Sequence, residues 1–237
     1  STEEILVRSS NVGSVILAQR IGKDVFKKFI KNTNLTKVPE IELEEVGVPH
    51  EIKWNKCKIE TVSFGHGITT TPLQATTLYA SLTNGGNLVI PSLIKDRHKI
   101  GTKKIISNET SKEISSILRQ VVSSENGTAS LADVDGYYVG GKTGTAESYG
   151  NNRQRINSFI SIFPTIKPKY SLFIMLENPK LNKDLVYNYR GIKTKAPYNT
   201  SGWNSVYVAG KIIEKIGPIL AINNKDFLNQ YVVEKFN

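Results

Sequence analysis

Three strand-like segments follow one another in the second half of the chain, with no helical segment between them. They are YYVGGKTGT at 137–145, INSFISIFP at 156–164 and YSLFIMLE at 170–177, and only the pentapeptide TIKPK separates the last two. Parallel neighbours in a sheet need a crossover of about a dozen residues or more, whereas antiparallel neighbours need only a turn. The order therefore predicts an antiparallel sheet and argues against a doubly wound parallel one.

Helical segments flank these strands, which predicts an α+β fold with helices packed on the antiparallel sheet. Residues 12–31 have the pattern of two short helices that break at Gly22. Further along, Thr71 is a favoured N-cap residue, Pro72 suits the first helical position, and Gly85 ends the helix.

Two amphipathic helices and two less regular segments complete the prediction. In 110–122 the apolar residues recur at i, i+3, i+4 and i+7, and Thr110 with Glu113 predicts a capping box. Residues 201–216 are predicted to form the last helix, which Gly217-Pro218 stops or kinks. The remaining predictions are a long surface loop over 33–60 and a strand near a sheet edge over 87–95, where Pro91 cannot donate to a ladder.

The composition suits a folded globular protein and excludes several classes of site. With 237 residues the chain can bury a sizeable core, and no apolar run approaches the length of a membrane span. The net charge of +10 favours anionic partners. The lysines are nevertheless spread out, in clusters no larger than Lys27-Lys28 and Lys103-Lys104, so we expect no nucleic-acid partner.

Cysteine and histidine are too scarce for disulfide or metal chemistry. Cys57 is the only cysteine, which excludes an internal disulfide and any Cys/His zinc spacing. The three histidines, His50, His66 and His98, are widely separated, and we expect them to be surface or packing residues.

The stretch GYYVGGKTGTAE at 136–147 supports two interpretations. Its first eight residues fit the phosphate-binding pattern G-x-x-x-x-G-K-[ST]. Such a site needs a buried strand before the glycines and a helix directly after the Lys-Thr. The flanking SSENGTASLADVD and GTAESYGNNRQ supply neither. We therefore favour a glycine-flanked lysine on a strand edge that accepts an extended peptide, with a hairpin of no function as the alternative.

An ordered set of motifs resembles the penicillin-binding proteins, most closely class B transpeptidases of the septal, cell-division type. YYVGGKTGTAE resembles their third active-site motif, and SSN at 9–11 resembles their second, Ser-x-Asn. Three further segments also follow the order of the family, namely SFGHGITTTPLQATTLYASLTNGG, NGTAS at 126–130 and SGWNS at 201–205. A lone Ser-x-Asn carries little weight, since 124–126 is a second copy, but the ordered set is specific.

The resemblance implies a penicillin-binding/β-lactamase-like transpeptidase fold and peptidoglycan D,D-transpeptidase activity by serine acyl transfer. A D,D-carboxypeptidase is the near neighbour, and a non-catalytic module that binds penicillin or stem peptides, or acts as a division scaffold, is the alternative. Residue by residue, it assigns catalysis to Ser9, Asn11 and Lys142 and substrate binding to Thr143, Gly144 and Thr145.

The resemblance also implies a chemical role for each of these residues. Ser9 would shuttle a proton between nucleophile and leaving amine, and Asn11 would orient the amide of the donor peptide. Lys142 would supply positive charge to the serine and to the substrate carboxylate, which the hydroxyls of Thr143 and Thr145 would also bind. The Thr145 N–H would be half of the oxyanion hole. Without the other motifs, an exposed turn or a helix cap would be the preferred interpretation of Ser9 and Asn11.

The family's nucleophile motif, Ser-x-x-Lys, is expected several dozen residues before Ser-x-Asn, but only eight residues precede Ser9. The match Ser92–Lys95 comes after the second motif and in a strand-like run, whereas the serine and lysine must share a helix face. We therefore expect residues 1–237 to be the C-terminal portion of a single, N-terminally incomplete transpeptidase domain, with 221–237 as a tail. We also expect that this chain is not acylated by itself.

The resemblance also implies partners and a location. Peptidoglycan stem peptides, β-lactams and cell-division proteins would be the partners, and no metal or organic cofactor is expected because serine acyl transfer needs none. The protein would act on the periplasmic, extracytoplasmic side of the membrane, held by an N-terminal anchor that lies outside this chain.

Overall fold

The computed structural model describes residues 1–95, 97, 99–147 and 154–222, with the backbone alone for 99–102 and 221–222. The chain forms two compact units that meet in sequence between Leu118 and Arg119. Of the predicted tail, residues 221–222 end the last helix and 223–237 lie outside the described residues, as does His98.

The first unit is mostly helical, with one small antiparallel sheet. Its elements are α1 Thr2–Val7, α2 Asn11–Ile21, α3 Lys23–Asn32, α4 Lys58–Ser63, α5 Pro72–Thr83, β1 Asn87–Ile90, β2 Lys99–Lys104 and the first part of α6 Asn108–Ser123. The predicted break at Gly22 is confirmed, since its φ of +85° suits glycine alone. The strand predicted over 87–95 ends at Ile90, before Pro91, and the sequence did not predict its partner β2.

Helix α5 begins as predicted, and its most buried residues are polar. The Thr71 side chain caps it by accepting a hydrogen bond from Gln74 N at 3.1 Å. The buried residues are Gln74, Ser81 and Thr83. Gln74 Nε2 donates to the carbonyls of Asn34 and Lys37 at 2.8 and 2.9 Å. The buried side-chain amide of Gln74 therefore has hydrogen-bond partners, and these bonds hold the start of the predicted loop in place. No helix or strand forms over 33–57.

The capping box predicted at Thr110 is wrong. Helix α6 begins at Asn108, and the Ser107 hydroxyl accepts the Thr110 N–H at 3.1 Å, so Thr110 already lies inside the first turn. A serine three residues upstream therefore takes the capping role. Of the predicted apolar face, Leu118 and Val121 are buried, and the adjacent Val122 is buried as well.

The second unit contains the predicted antiparallel sheet. Strands β3 Gly140–Glu147, β4 Arg155–Phe163 and β5 Tyr170–Glu177 pair in the order β3-β4-β5, with Lys142 opposite Ile160 and Phe163 opposite Tyr170. A second hairpin, β6 Val186–Tyr189 and β7 Ile192–Lys195, was not predicted. Its turn, Arg190-Gly191, has φ of +54° and +80°, as two-residue hairpins require.

Helix α7, Ser205–Ile222, packs on this sheet. The core between them consists mainly of Val121, Val122, Val139, Phe159, Phe163, Val206, Ala209 and Ile213. Of the two predicted outcomes at Gly217-Pro218, a stop or a kink, the stop is wrong, because the helix continues through Pro218 to Ile222. Gly217 has a packing role, since a Cβ there would lie 2.3 Å from the Tyr137 ring.

The architecture is therefore α+β, with an antiparallel sheet covered by helices, as predicted. Among the helices that the structure describes, none combines the length and apolar character needed to cross a membrane.

Candidate active site

Strand β3, which carries the lysine motif, lies at the edge of its sheet. Within the described part of the second unit it pairs with β4 and with no other strand. Every second N–H and C=O of an edge strand points away from the ladder, where an extended peptide can pair with it. Lys142 and Thr143 lie in the middle of this strand, so they are not at a helix N-terminus and the phosphate-cradle interpretation is excluded.

The glycines of β3 allow close packing on β4. A Cβ on Gly141 would lie 2.4 Å from the Ile160 carbonyl oxygen and 2.6 Å from Phe159 Cζ. At Gly144 a Cβ would lie 2.7 Å from Ser158 Oγ. The backbone and side chains of β4 therefore occupy the space that a side chain at Gly141 or Gly144 would need.

Lys142 is half-buried, and its Nζ donates to the Thr143 carbonyl at 3.1 Å. Burial lowers the pKa of this lysine to about 8, because an ammonium loses hydration inside the protein. At neutral pH the side chain is therefore mostly charged but is close to the point at which it releases its proton. Lys142 can therefore either stabilise a negative charge or take part in proton transfer.

Thr143 and Thr145 alternate with Lys142 along β3 and project from the opposite face of the strand. Each hydroxyl meets another hydroxyl: Thr143 Oγ1 lies 3.0 Å from Thr128 Oγ1, and Thr145 Oγ1 lies 2.9 Å from Ser201 Oγ. Sequence reasoning assigned no role to Thr128 or Ser201. The only signal was that their segments, NGTAS and SGWNS, belong to the set that carries the family resemblance.

The two supporting segments also contact one another. Gly202 lies so close to the Thr128 carbonyl oxygen that a Cβ would stand 2.8 Å from it. Ser201 is buried in a short 3₁₀ helix, Ser201–Trp203, and its hydroxyl donates to the Gly144 carbonyl. The same carbonyl receives the Ser158 hydroxyl at 3.3 Å. The strand is therefore braced from its own sheet and from the 3₁₀ helix.

Ser9 and Asn11 lie in the first unit, at the turn between α1 and α2. Ser9 is exposed and has a φ of +54°, and Asn11 is the exposed first residue of α2. The N-cap is Ser10, whose hydroxyl accepts the Gly13 N–H at 3.1 Å. The capping alternative therefore applies to the residue between the two predicted catalytic side chains.

The second Ser-x-x-Lys match does not form a nucleophile site. Residues 91–95 follow β1 without forming a helix, and Ser92 Oγ donates to Glu42 Oε1 at 2.8 Å. Ser92 and Lys95 therefore share no helix face, as the sequence predicted. Over the described ranges, no group of three or more His, Cys, Asp or Glu side chains is arranged to hold a metal ion.

The family model of the penicillin-binding protein transpeptidase domain matches residues 1–199. The chain belongs to this family. The probable peptidoglycan D,D-transpeptidase FtsI of Caulobacter vibrioides is 34% identical over 237 residues, which cover 94% of this chain and 38% of that protein. The stage V sporulation protein D of Bacillus subtilis is 33% identical over 197 residues, covering 75% and 30%. The chain thus spans about a third of the length of these relatives.

Solved structures of penicillin-binding proteins confirm the predicted fold of the chain. The transpeptidase domain of penicillin-binding protein 3 from Burkholderia pseudomallei has a TM-score of 0.74 at 20% identity and covers 91% of this chain and 63% of that one. Penicillin-binding protein 3 from Mycobacterium tuberculosis, complexed with ampicillin, also has a TM-score of 0.74, at 24% identity, and covers 92% and 51%.

Proposed function

We propose that this chain forms part of a peptidoglycan D,D-transpeptidase and binds a stem peptide along β3. The observation that carries the proposal is the composition of this edge strand. In the described structure its outer edge pairs with no other strand, and it carries Lys142, a half-buried lysine of lowered pKa, on one face and two threonine hydroxyls on the other. A peptide added to the edge would pair with the backbone, and its carboxylate would meet the ammonium.

The remaining roles follow the chemistry of serine acyl transfer. The Thr145 N–H is one donor of the oxyanion hole, where a fixed dipole stabilises the negative charge that develops during acylation. Ser9 passes a proton between nucleophile and leaving amine, and Asn11 orients the donor amide. The acylated serine belongs to a Ser-x-x-Lys motif, which residues 1–8 do not contain.

The partners and the location belong to the same proposal. Because the solved relatives include complexes with ampicillin and aztreonam, we propose β-lactams as ligands that mimic the stem peptide. Relatives named peptidoglycan D,D-transpeptidases support action on the extracytoplasmic side of the membrane. Following the family resemblance, we also propose cell-division proteins as partners and a membrane anchor outside residues 1–237.

A fluorescent penicillin tests the proposal directly. We expect the protein that carries this chain together with its upstream Ser-x-x-Lys segment to be labelled covalently, and residues 1–237 alone to remain unlabelled. In the longer protein, Lys142→Gln should reduce the labelling rate at least about tenfold, because a hydrogen-bonded charge is lost. Lys215→Gln, at an exposed site on α7, is the matched control and should leave the rate unchanged.

Two results would count against the proposal. Equal labelling of the wild type and Lys142→Gln would remove Lys142 from the site. A longer protein that binds penicillin reversibly but never forms the covalent adduct would favour the non-catalytic binding module instead.

A further inference from the structure

The first unit contains a cavity of about 500 Å³ between α3 and the loop over 33–57. This volume is typical of sites for small organic ligands. Its charged lining consists of Lys27, Lys28, Lys31, Lys37 and Glu51. Four lysines therefore face one carboxylate, and the Lys27-Lys28 cluster that the sequence singles out belongs to this wall.

The cavity lysines lack the carboxylate partners that other basic residues have. Ion pairs to Asp or Glu at 2.5 to 3.7 Å are made by Arg97, Arg119, Arg155 and Lys211. In the part of the chain that the structure describes, no such pair involves any of the four cavity lysines. Charges of one sign in a cleft with apolar walls concentrate ions of the opposite sign. An anion in the cavity would therefore neutralise a repulsion that the fold leaves in place.

Both walls of the cavity are held in place by the fold. Lys27 Nζ lies 5.5 Å from the centroid of the Trp54 ring, and Lys23 Nζ donates to the Trp54 carbonyl at 3.4 Å. These contacts tie the loop to α3. The buried Gln74 side chain fixes the backbone of Lys37 by donating to its carbonyl at 2.9 Å. Because the backbone is already fixed, binding would order little more than the lysine side chains.

We propose that this cavity binds a diphosphate group carried on an organic body. A lysine ammonium is a compact point charge that suits phosphate oxygens, and one phosphate ester carries up to about two negative charges. Two linked phosphates therefore balance an excess of about three positive charges in a small volume, which single carboxylates do not. The organic body would pack on the apolar part of the lining, which is Ile30, Pro49, Ile52 and Trp54. The site uses no residue assigned to acyl transfer, so it goes beyond the proposed function and does not depend on it.

Trp54 reports on the cavity without any activity assay. The chain has two tryptophans, and Trp203→Phe removes the other one while keeping an aromatic ring against Tyr189. In this background, inorganic pyrophosphate is titrated at low salt against the fluorescence of Trp54. We expect a saturable change and a Kd at least about tenfold below that for inorganic phosphate, because the second phosphate adds charged hydrogen bonds. No saturable change, or equal affinity for both anions, would overturn the proposal.

Substitutions of single lysines separate the cavity from the basic surface as a whole. Lys28→Gln and Lys31→Gln should each raise the Kd for pyrophosphate about tenfold, and Lys28→Arg, which keeps the charge, should retain most of the affinity. Lys112→Gln, at an exposed site on α6 in the same unit, is the matched control and should change the Kd less than about twofold. The side chains of Lys28 and Lys31 are exposed, so the denaturant midpoint should stay nearly unchanged and the loss is one of binding. An equal loss in Lys112→Gln would overturn the proposal.

Four further ligands identify the chemistry and the source of the anion. A triglutamate peptide carries its charge on carboxylates, and phosphatidylglycerol vesicles present single phosphates on a membrane surface. Binding of either one as tightly as pyrophosphate, with the same loss in Lys28→Gln, would overturn the diphosphate site. ADP and a diphosphate-headed lipid in vesicles show whether the organic body is soluble or lipid. The matching one should bind several-fold more tightly than pyrophosphate, because its body covers the apolar wall. If neither does, the organic body is overturned.

Discussion

The two motifs of this chain are built in different ways. On β3, the third motif is fixed by residues far away in sequence: Thr143 meets Thr128 15 positions away, and Thr145 meets Ser201 56 positions away. At the start of α2, Ser10 between the two residues of the second motif makes a capping bond to a residue three positions ahead. Ser9 and Asn11 on either side of it are exposed.

This difference shows why the two motifs carry unequal weight in a sequence. A Ser-x-Asn at a helix start is compatible with ordinary capping chemistry, so a second copy at 124–126 is unsurprising. A Lys-Thr-Gly on an edge strand needs glycine where β4 approaches and hydroxyl partners from two other segments. The Ser-x-Asn pattern therefore occurs readily by chance, whereas the Lys-Thr-Gly pattern in this setting does not.

The largest expected effect is that of Gly141→Ala, which tests whether packing fixes the third motif. The added methyl would overlap the Ile160 carbonyl oxygen and the Phe159 ring, neither of which can move without disturbing the sheet. We expect a loss of about 3 kcal/mol in the free energy of unfolding, measured by denaturant titration. Gly144→Ala is the matched control on the same strand, because it meets only the Ser158 hydroxyl, and it should lose about 1 kcal/mol. Equal losses would contradict the packing explanation.

Lys142→Met should have the next largest effect and the opposite sign. The pKa of Lys142 is about 8 in the folded chain, against an ordinary value of 10.5, so folding at neutral pH buries a charge that the unfolded chain keeps in water. Methionine removes this cost, and after the loss of the bond to Thr143 we expect a gain of about 2 kcal/mol at pH 7.

The sign of the pH dependence follows from proton binding. Between pH 8 and 10.5 the unfolded chain holds a proton on Lys142 that the folded chain has released, so wild-type stability rises with pH in this window. The advantage of Lys142→Met is therefore complete below pH 8 and disappears toward pH 10.5. Thermal unfolding at pH 7 and at pH 10 measures this, and an advantage that is equal at both values would show that burial does not lower the pKa.

Much of the fold could be predicted because it depends on local patterns. The break at Gly22, the cap at Thr71 and the three strands all follow from backbone or period rules. The errors arose where tertiary contacts or nearby residues outweighed a local signal. Ser107 caps α6 in place of Thr110, and Gly217 packs on Tyr137 without ending α7.

The candidate site was predictable to a smaller extent. Lys142, Thr143 and Thr145 come from a motif, and the structure places them together on one strand. No local stretch of sequence identifies Thr128 and Ser201 as site residues, because only folding brings their hydroxyls to β3. The missed β6–β7 hairpin is different, since Arg190-Gly191 between two alternating segments is a recognisable turn signal.

The second motif should respond to substitution by smaller amounts. Ser10→Ala removes the cap of α2 and should lower the free energy of unfolding by about 1 kcal/mol. Ser9→Gly should be neutral or slightly stabilising, because glycine adopts a φ of +54° without penalty, although it removes the hydroxyl assigned to proton transfer. Helix content and unfolding midpoint measure both effects. A larger loss in Ser9→Gly than in Ser10→Ala would place Ser9 in the structural framework of the turn.

The smallest expected effect concerns the C-terminal end of β3, beyond the contacts that Ser158 and Ser201 make with Gly144. Glu147 pairs with Arg155 at 2.5 Å, but their side chains are 50% and 40% exposed. Water and salt screen such a pair, so Glu147→Gln should cost less than about 1 kcal/mol, and the cost should shrink further at 1 M salt. Arg155 also donates to the Asn199 carbonyl at 2.9 Å, a bond that the substitution leaves in place. A loss as large as that of Gly141→Ala would mean that the end of β3 depends on charge, and the contrast between a packed motif and its exposed surroundings would fail.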